Sequence, residues 1–191
     1  ENQLSTAISE GSIDAFGELN SLCPKADLIV IALPPLATAS ILPQISELCS
    51  PQSVITDVAS VKTSVTAAVN KLDPEFIARF VPGHPIAGSE KSGYLASTDS
   101  LFNQRNIILT PQVNTEPEAV ALVHEMWRAL GADILGMSTK RHDEVLAATS
   151  HLPHLLAFAI VNALVRQEQS EDIFRYAAGG FADFSRLASS D

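Results

Sequence analysis

The spacing of apolar positions changes near residue 138. Before it, short apolar runs rich in Val and Ile alternate with stretches in which apolar residues recur every three or four positions, the pattern of strands separated by amphipathic helices. Strands are predicted at 27–33, 53–56, 77–81, 106–110 and 132–135, and helices at 2–10, 36–48, 61–72 and 116–130, the last ended by Gly131 as its C′ residue. The unbroken apolar character of 27–33 predicts a strand buried on both faces. After Ser138 the strand pattern stops and helical spacing continues, interrupted by Pro153 and by Gly179-Gly180. Strands that alternate with helices are most economically paired in parallel with crossover helices between them. The pattern therefore predicts an α/β fold, a doubly wound parallel sheet over 1–137, followed by an all-helical unit over 138–191.

Composition narrows the function classes. The 191 residues are 46% hydrophobic and 18% charged, ordinary for a globular chain with a sizeable core. Twelve Lys and Arg against 22 Asp and Glu leave a formal charge of −10 with no basic run, which argues against nucleic acid or an anionic membrane as partner. Cys23 and Cys49 have no metal-ligand spacing; they can pair but form no disulfide framework, and a reducing cytoplasm is expected. The longest apolar stretch, 152–165, contains His154 and Asn162 and is shorter than the roughly 20 residues that span a bilayer. Both ends read as cut: no strand precedes the first helix, and no G-x-G-x-x-G occurs. The expectation is a sheet that lacks its first βαβ unit, and with it the turn that would cradle a dinucleotide pyrophosphate.

Candidate chemistry gathers in four segments. Gly83-His84-Pro85-Ile86-Ala87-Gly88-Ser89-Glu90-Lys91-Ser92-Gly93 holds a histidine in a stiff, glycine-rich loop just past a predicted strand, where open α/β sheets bind ligands. Thr56-Asp57-Val58-Ala59-Ser60-Val61-Lys62 runs from a strand end into a helix, with Ser60 placed to cap it and to offer its hydroxyl. His142-Asp143 precedes Ser150-His151-Leu152-Pro153-His154, where the proline is expected to disturb the helix and free backbone groups. Finally, Ala177-Ala178-Gly179-Gly180-Phe181-Ala182-Asp183-Phe184-Ser185-Arg186 ends on an arginine able to fork onto a carboxylate.

In this order and spacing the four segments resemble the prephenate and arogenate dehydrogenase family over nearly the whole chain. The resemblance implies a Rossmann-type nicotinamide-binding domain, a helical domain that dimerises, and an active site in the cleft between them. It implies oxidative decarboxylation of prephenate to 4-hydroxyphenylpyruvate or of arogenate to tyrosine, with NAD as cofactor and NADP open. Residue by residue, it makes His84 the group that takes the proton of the ring C4 hydroxyl as hydride leaves C4. Ser60 would orient that hydroxyl or His84, Arg186 would hold a substrate carboxylate, and His154 would lie near the substrate side chain. Leu33, Pro34 and Asp57 would contact the cofactor. A small anionic substrate and a homodimer are the partners implied.

The sequence departs from the family pattern at Ala182, where an arginine is common. Three other readings follow from the same residues. A β-hydroxyacid or 6-phosphogluconate-type dehydrogenase shares the two-domain plan but needs a helical-domain lysine, and residues 139–191 hold only Lys140. A metal or ligand module would use His142, His151 and His154 with Asp143, although Pro153 disturbs the register between the last two histidines. The third is a catalytically incomplete fragment of the dehydrogenase.

Overall fold

The computed structural model describes residues 2–88, 93–177 and 179–188. Ser89, Glu90, Lys91, Ser92 and Ala178 from the motifs above, and the side chains of Ala182, Asp183 and Phe184, lie outside the described residues. The chain forms two compact units, one from the residues up to 88 and 93–143, the other from 144 onward.

The first unit runs α1 (Asn2–Ser9), α2 (Leu19–Leu22), β1 (Leu28–Ile31), α3 (Pro35–Leu48), β2 (Val54–Asp57), α4 (Thr63–Val69), α5 (Pro74–Arg79), β3 (Phe80–Val81) and β4 (Gly83–Pro85). It continues with β5 (Asn106–Leu109), α6 (Pro117–Ala129), β6 (Asp133–Gly136) and the start of α7 (Thr139–Leu146). β1, β2 and β3 pair in parallel in that order, Ile31 opposite Asp57 and Thr56 opposite Val81. β4, β5 and β6 form a second three-stranded sheet in which β5 and β6 are parallel.

Alternation along the strands divides the core in two. Ile55 and Phe80 face α3, α4 and α5 in a cluster with Leu42, Val65 and Phe76. Their neighbours Val54 and Val81 face α6, packing with Ile107, Val123 and Trp127. Successive strand side chains point to opposite faces, so helices cover both. Every residue of β2 is buried.

Three local expectations are corrected. β1 is an edge strand rather than one buried on both faces, and Val30 is 42% exposed. Residues 74–79 are helical, not the start of a strand, because Pro74 sits in the first turn with its φ already suited to a helix. The His84 segment is not a loop: β4 runs antiparallel to β5, with His84 opposite Ile108. Cys23 and Cys49, whose pairing the sequence left open, are free thiols. Gly131, by contrast, sits where predicted, just past α6 at φ +78°.

In the second unit a π-helical turn, Ala147–His151, joins α7 to α8 (Leu152–Val165), followed by α9 (Ser170–Arg175) and α10 (Gly179–Ser185). The wider turn accommodates Pro153, which has no N–H to donate, so the helix continues where an interruption was expected. Gly179-Gly180 likewise opens a helix instead of breaking one. Because α7 and α8 are continuous, Thr139–Val165 is 27 residues, long and apolar enough by length and composition to cross a membrane, which the 152–165 stretch alone is not. Lys140, Arg141, Asp143 and Glu144 lie in its first turns, ahead of the apolar part.

Candidate active site

The site grows from the carboxyl end of β2. Asp57 is fully buried, and its carboxylate accepts hydrogen bonds from the Ala59 N–H at 3.0 Å and the Gly83 N–H at 3.2 Å. The chain then bends through the exposed Ser60 and brings Lys62 back inside, where its ammonium pairs with Asp57 and donates to the Gly83 carbonyl. Burial pushes the Asp57 carboxyl up and the Lys62 ammonium down, and their mutual attraction opposes both shifts. One buried ion pair thus ties the end of β2 to both backbone groups of the residue before His84.

Gly83 is required there by close approach. A Cβ at this position would lie 2.9 Å from the Asp57 carbonyl oxygen and 3.3 Å from both the Thr56 hydroxyl and a Leu109 methyl. Its packing between β2 and β5 fixes the backbone that carries His84.

His84 is 9% exposed, at the margin of the interior. Its Nδ1 lies 2.8 Å from Nε2 of His142, the two rings meeting edge to face with centroids 5.0 Å apart. His142 is fully buried, and its Nδ1 lies 2.7 Å from Oδ1 of Asp143. The Asp143 carboxylate accepts the backbone N–H of Lys62 at 2.9 Å and of Thr63 at 2.8 Å. Partial burial acts to raise the Asp143 carboxyl, but the Thr63 hydroxyl, the Lys62 N–H, His142 and the Thr63 N–H outweigh it and lower it to about 2. The sequence predicted Ser60 as the cap of α4; the first N–H groups there are met instead by a carboxylate 80 residues away.

The remaining sequence-predicted residues divide by unit. Leu33 and Pro34 form the exposed turn between β1 and α3, where Thr38 donates its hydroxyl to the Leu33 carbonyl at 2.9 Å. They stand at the carboxyl end of the strand next to β2. His154 and Arg186 belong to the second unit. His154 is half-buried in α8 with Nδ1 2.8 Å from the Ser150 carbonyl, and Arg186 is exposed in a single 3₁₀ turn, Arg186–Ala188. The metal reading finds no support in placement: His142 is committed to His84 and Asp143. Among the described residues no group of three or more His, Cys, Asp or Glu could hold a metal ion.

Sequence reasoning singled out His142-Asp143 and Lys62 but gave them no part in the site. His142 is 58 residues from His84, and only the β4–β5 pairing and the start of α7 bring them together. A lysine after a strand end reads as a solvated or ligand-facing cation; that it lies inside follows from its pairing with Asp57.

Residues 1–135 match the family model described as prephenate dehydrogenase, nucleotide-binding domain, and residues 138–191 the one described as prephenate dehydrogenase, dimerization domain. A cyclohexadienyl dehydrogenase of Zymomonas mobilis is 36% identical over 169 residues, 87% of this chain and 57% of that protein. A prephenate dehydrogenase of Bacillus subtilis is 34% identical over 196 residues, all of this chain and 52% of its own length. The chain therefore spans about half the length of these relatives. Among solved structures, Aquifex aeolicus prephenate dehydrogenase in complex with hydroxyphenyl propionate and NAD+ superposes with a TM-score of 0.88 at 36% identity, covering 98% of this chain and 66% of that one.

Proposed function

The chain belongs to the prephenate dehydrogenase family, and from that premise we propose that it serves the nicotinamide-dependent oxidative decarboxylation of a cyclohexadienyl substrate, prephenate to 4-hydroxyphenylpyruvate or arogenate to tyrosine. The observation that carries this reading is His84, an imidazole at the margin of the interior, on backbone clamped by a buried ion pair and bonded through its Nδ1 to a second histidine. A general base needs such fixed geometry before it needs any particular pKa.

The residues present fit the nicotinamide side of a dinucleotide site. The exposed Leu33–Pro34 turn and the Asp57–Ser60 turn follow neighbouring parallel strands, the crevice where open α/β sheets take their ligands. We assign Leu33 and Pro34 to cofactor contact. Asp57 supports the site from below, since its carboxylate is engaged inside. NAD is the cofactor assigned, in keeping with the Aquifex relative's NAD+ complex.

When bound, the oxidised nicotinamide supplies the hydride acceptor. His84 takes the proton of the ring hydroxyl, so that electron density collapses to a carbonyl, and loss of the ring carboxylate then gives the aromatic product. Ser60, exposed in its bend, orients that hydroxyl. Arg186 holds a substrate carboxylate, and His154 lies toward the side chain that distinguishes keto acid from amino acid. Residues 1–137 form the nucleotide-binding part and 138–191 the helical part through which a cytoplasmic homodimer forms.

The test is His84→Asn in the gene product that carries this chain. Turnover should fall by ~10²-fold or more with cofactor affinity unchanged, as for loss of a general base. Unchanged turnover would overturn the assignment.

A further inference from the structure

The role just assigned to His84 requires its substrate-facing nitrogen to carry a lone pair, and nothing in the ring itself decides that. A neutral imidazole has one N–H and one acceptor, and the neighbours choose between the two tautomers. Here the neighbours form a line with a defined direction. The Asp143 carboxylate accepts only, so the His142 nitrogen facing it, Nδ1 at 2.7 Å, carries a hydrogen. Neutral His142 is then an acceptor at Nε2. That nitrogen lies 2.8 Å from Nδ1 of His84, which must therefore be the donor. The lone pair of His84 falls on Nε2.

Resting on the proposed role of His84, we infer that His142 and Asp143 are positioning residues for the reaction: they hold His84 in the tautomer whose Nε2 accepts the substrate proton, and they face the resulting imidazolium with a carboxylate two bonds of the line away. His142 is wholly buried on α7 with both ring nitrogens engaged. An apolar residue would fill the space without needing partners.

The direction of the line is set at its far end. Both Asp143 oxygens receive backbone N–H groups, Lys62 on Oδ1 and Thr63 on Oδ2, so the carboxylate cannot rotate to offer a different face. With its carboxyl held at about 2, Asp143 stays ionised and does not itself take the proton. After the substrate hydroxyl gives its proton to Nε2, His84 carries hydrogens on both nitrogens and still donates from Nδ1 to His142. The charge remains on His84 and is met through His142 by Asp143, the arrangement of a base, an orienter and a partly buried acid recognised by roles rather than by sequence order. Among the described residues, Lys62 and Asp57 pair with each other beneath Gly83.

The decisive variant is Asp143→Asn. An amide has one oxygen where the carboxylate has two, so either the Thr63 N–H meets an NH₂ group or the amide flips and presents that NH₂ to Nδ1 of His142. The second choice forces His142 into the opposite tautomer and His84 with it. The probe is the ring-nitrogen signature of histidine labelled with ¹⁵N, with His84 and His142 assigned from the spectra of His84→Asn and His142→Asn. In the unmodified protein near neutral pH, both residues should show a protonated Nδ1 and a lone-pair Nε2. The opposite tautomer at either residue overturns the inference. In Asp143→Asn, the His84 signature should become mixed or reversed while circular dichroism is retained, and an unmoved signature together with unchanged kcat overturns it as well.

In the gene product that carries this chain, Asp143→Asn should lower kcat by ~10- to 100-fold with KM nearly unchanged, since outer partners act through the group they orient. Retained kcat alongside a shifted His84 tautomer overturns the catalytic role of the line. The two levels fail separately. If His84→Asn keeps its turnover, the assignment of His84 as base falls; if His84→Asn loses turnover while Asp143→Asn leaves tautomer and kcat alone, only the positioning role falls.

Discussion

At the scale of single residues, the site depends as much on an absent side chain as on those present. A methyl group at position 83 would meet the Asp57 carbonyl oxygen at 2.9 Å, and a backbone atom cannot swing aside as a flexible side chain would. Gly83→Ala should therefore push β2 and β4 apart, costing about 1–3 kcal/mol as overpacking does. Urea unfolding checks this: the midpoint should drop with the slope unchanged. Gly88 is the control, because a Cβ there meets none of the described residues within 4 Å, and Gly88→Ala should leave the midpoint where it was. Equal midpoints for the two variants would mean that the strands yield freely at Gly83. The sequence pointed to this glycine for a different reason, conformational freedom in a loop, whereas its φ is not in the left-handed region and its role is close packing.

At the scale of elements, period was a good guide and register was not. β2, α3, β5 and α6 were legible because their apolar spacing repeats over enough positions to exclude the alternative. β4 was not legible: Gly-His-Pro carries two residues that strands avoid, and its pairing comes from β5, more than twenty residues on. The same limit hid the cap of α4, whose first N–H groups look upstream to Ser60 in sequence but bond to Asp143 in space. That long-range cap has a pH signature. The Asp143 carboxyl, at about 2 when folded, lies below its ordinary value near ~3.9 in the unfolded chain. A depressed acid contributes stability that is complete above the unfolded value and is lost as pH falls through the folded one. Chemical denaturation at stepped pH should therefore show the native protein losing ground to Asp143→Asn between about pH 4 and pH 2. Asp57 is pushed up instead and contributes with the opposite sign, so the comparison must be the difference between these two proteins, in which Asp57 cancels. Parallel curves over that window would mean that the long-range cap contributes nothing to folding.

At the scale of the whole molecule, the second unit carries an exposed apolar face. Leu155 is 65% exposed on α8 and Val165 56%, with Leu152, Leu156 and Phe158 about half exposed beside them. A helix apolar all round belongs in an interior or against a partner. A second copy of the same helix is the economical cover, because a two-fold axis lets one apolar patch bury itself against its twin. The matching family model is described as a dimerization domain, which agrees with that physics. Light scattering on this chain at micromolar concentration should therefore report a dimer. High salt should not dissociate it, since burial of apolar area rather than ion pairing holds it. Leu155→Glu should shift it toward monomer while leaving the circular dichroism of the first unit intact, because a carboxylate there must be stripped of water to enter the interface. A monomer at every concentration tested, or a dimer indifferent to Leu155→Glu, would place the contact elsewhere and leave α8 to be covered by some other segment.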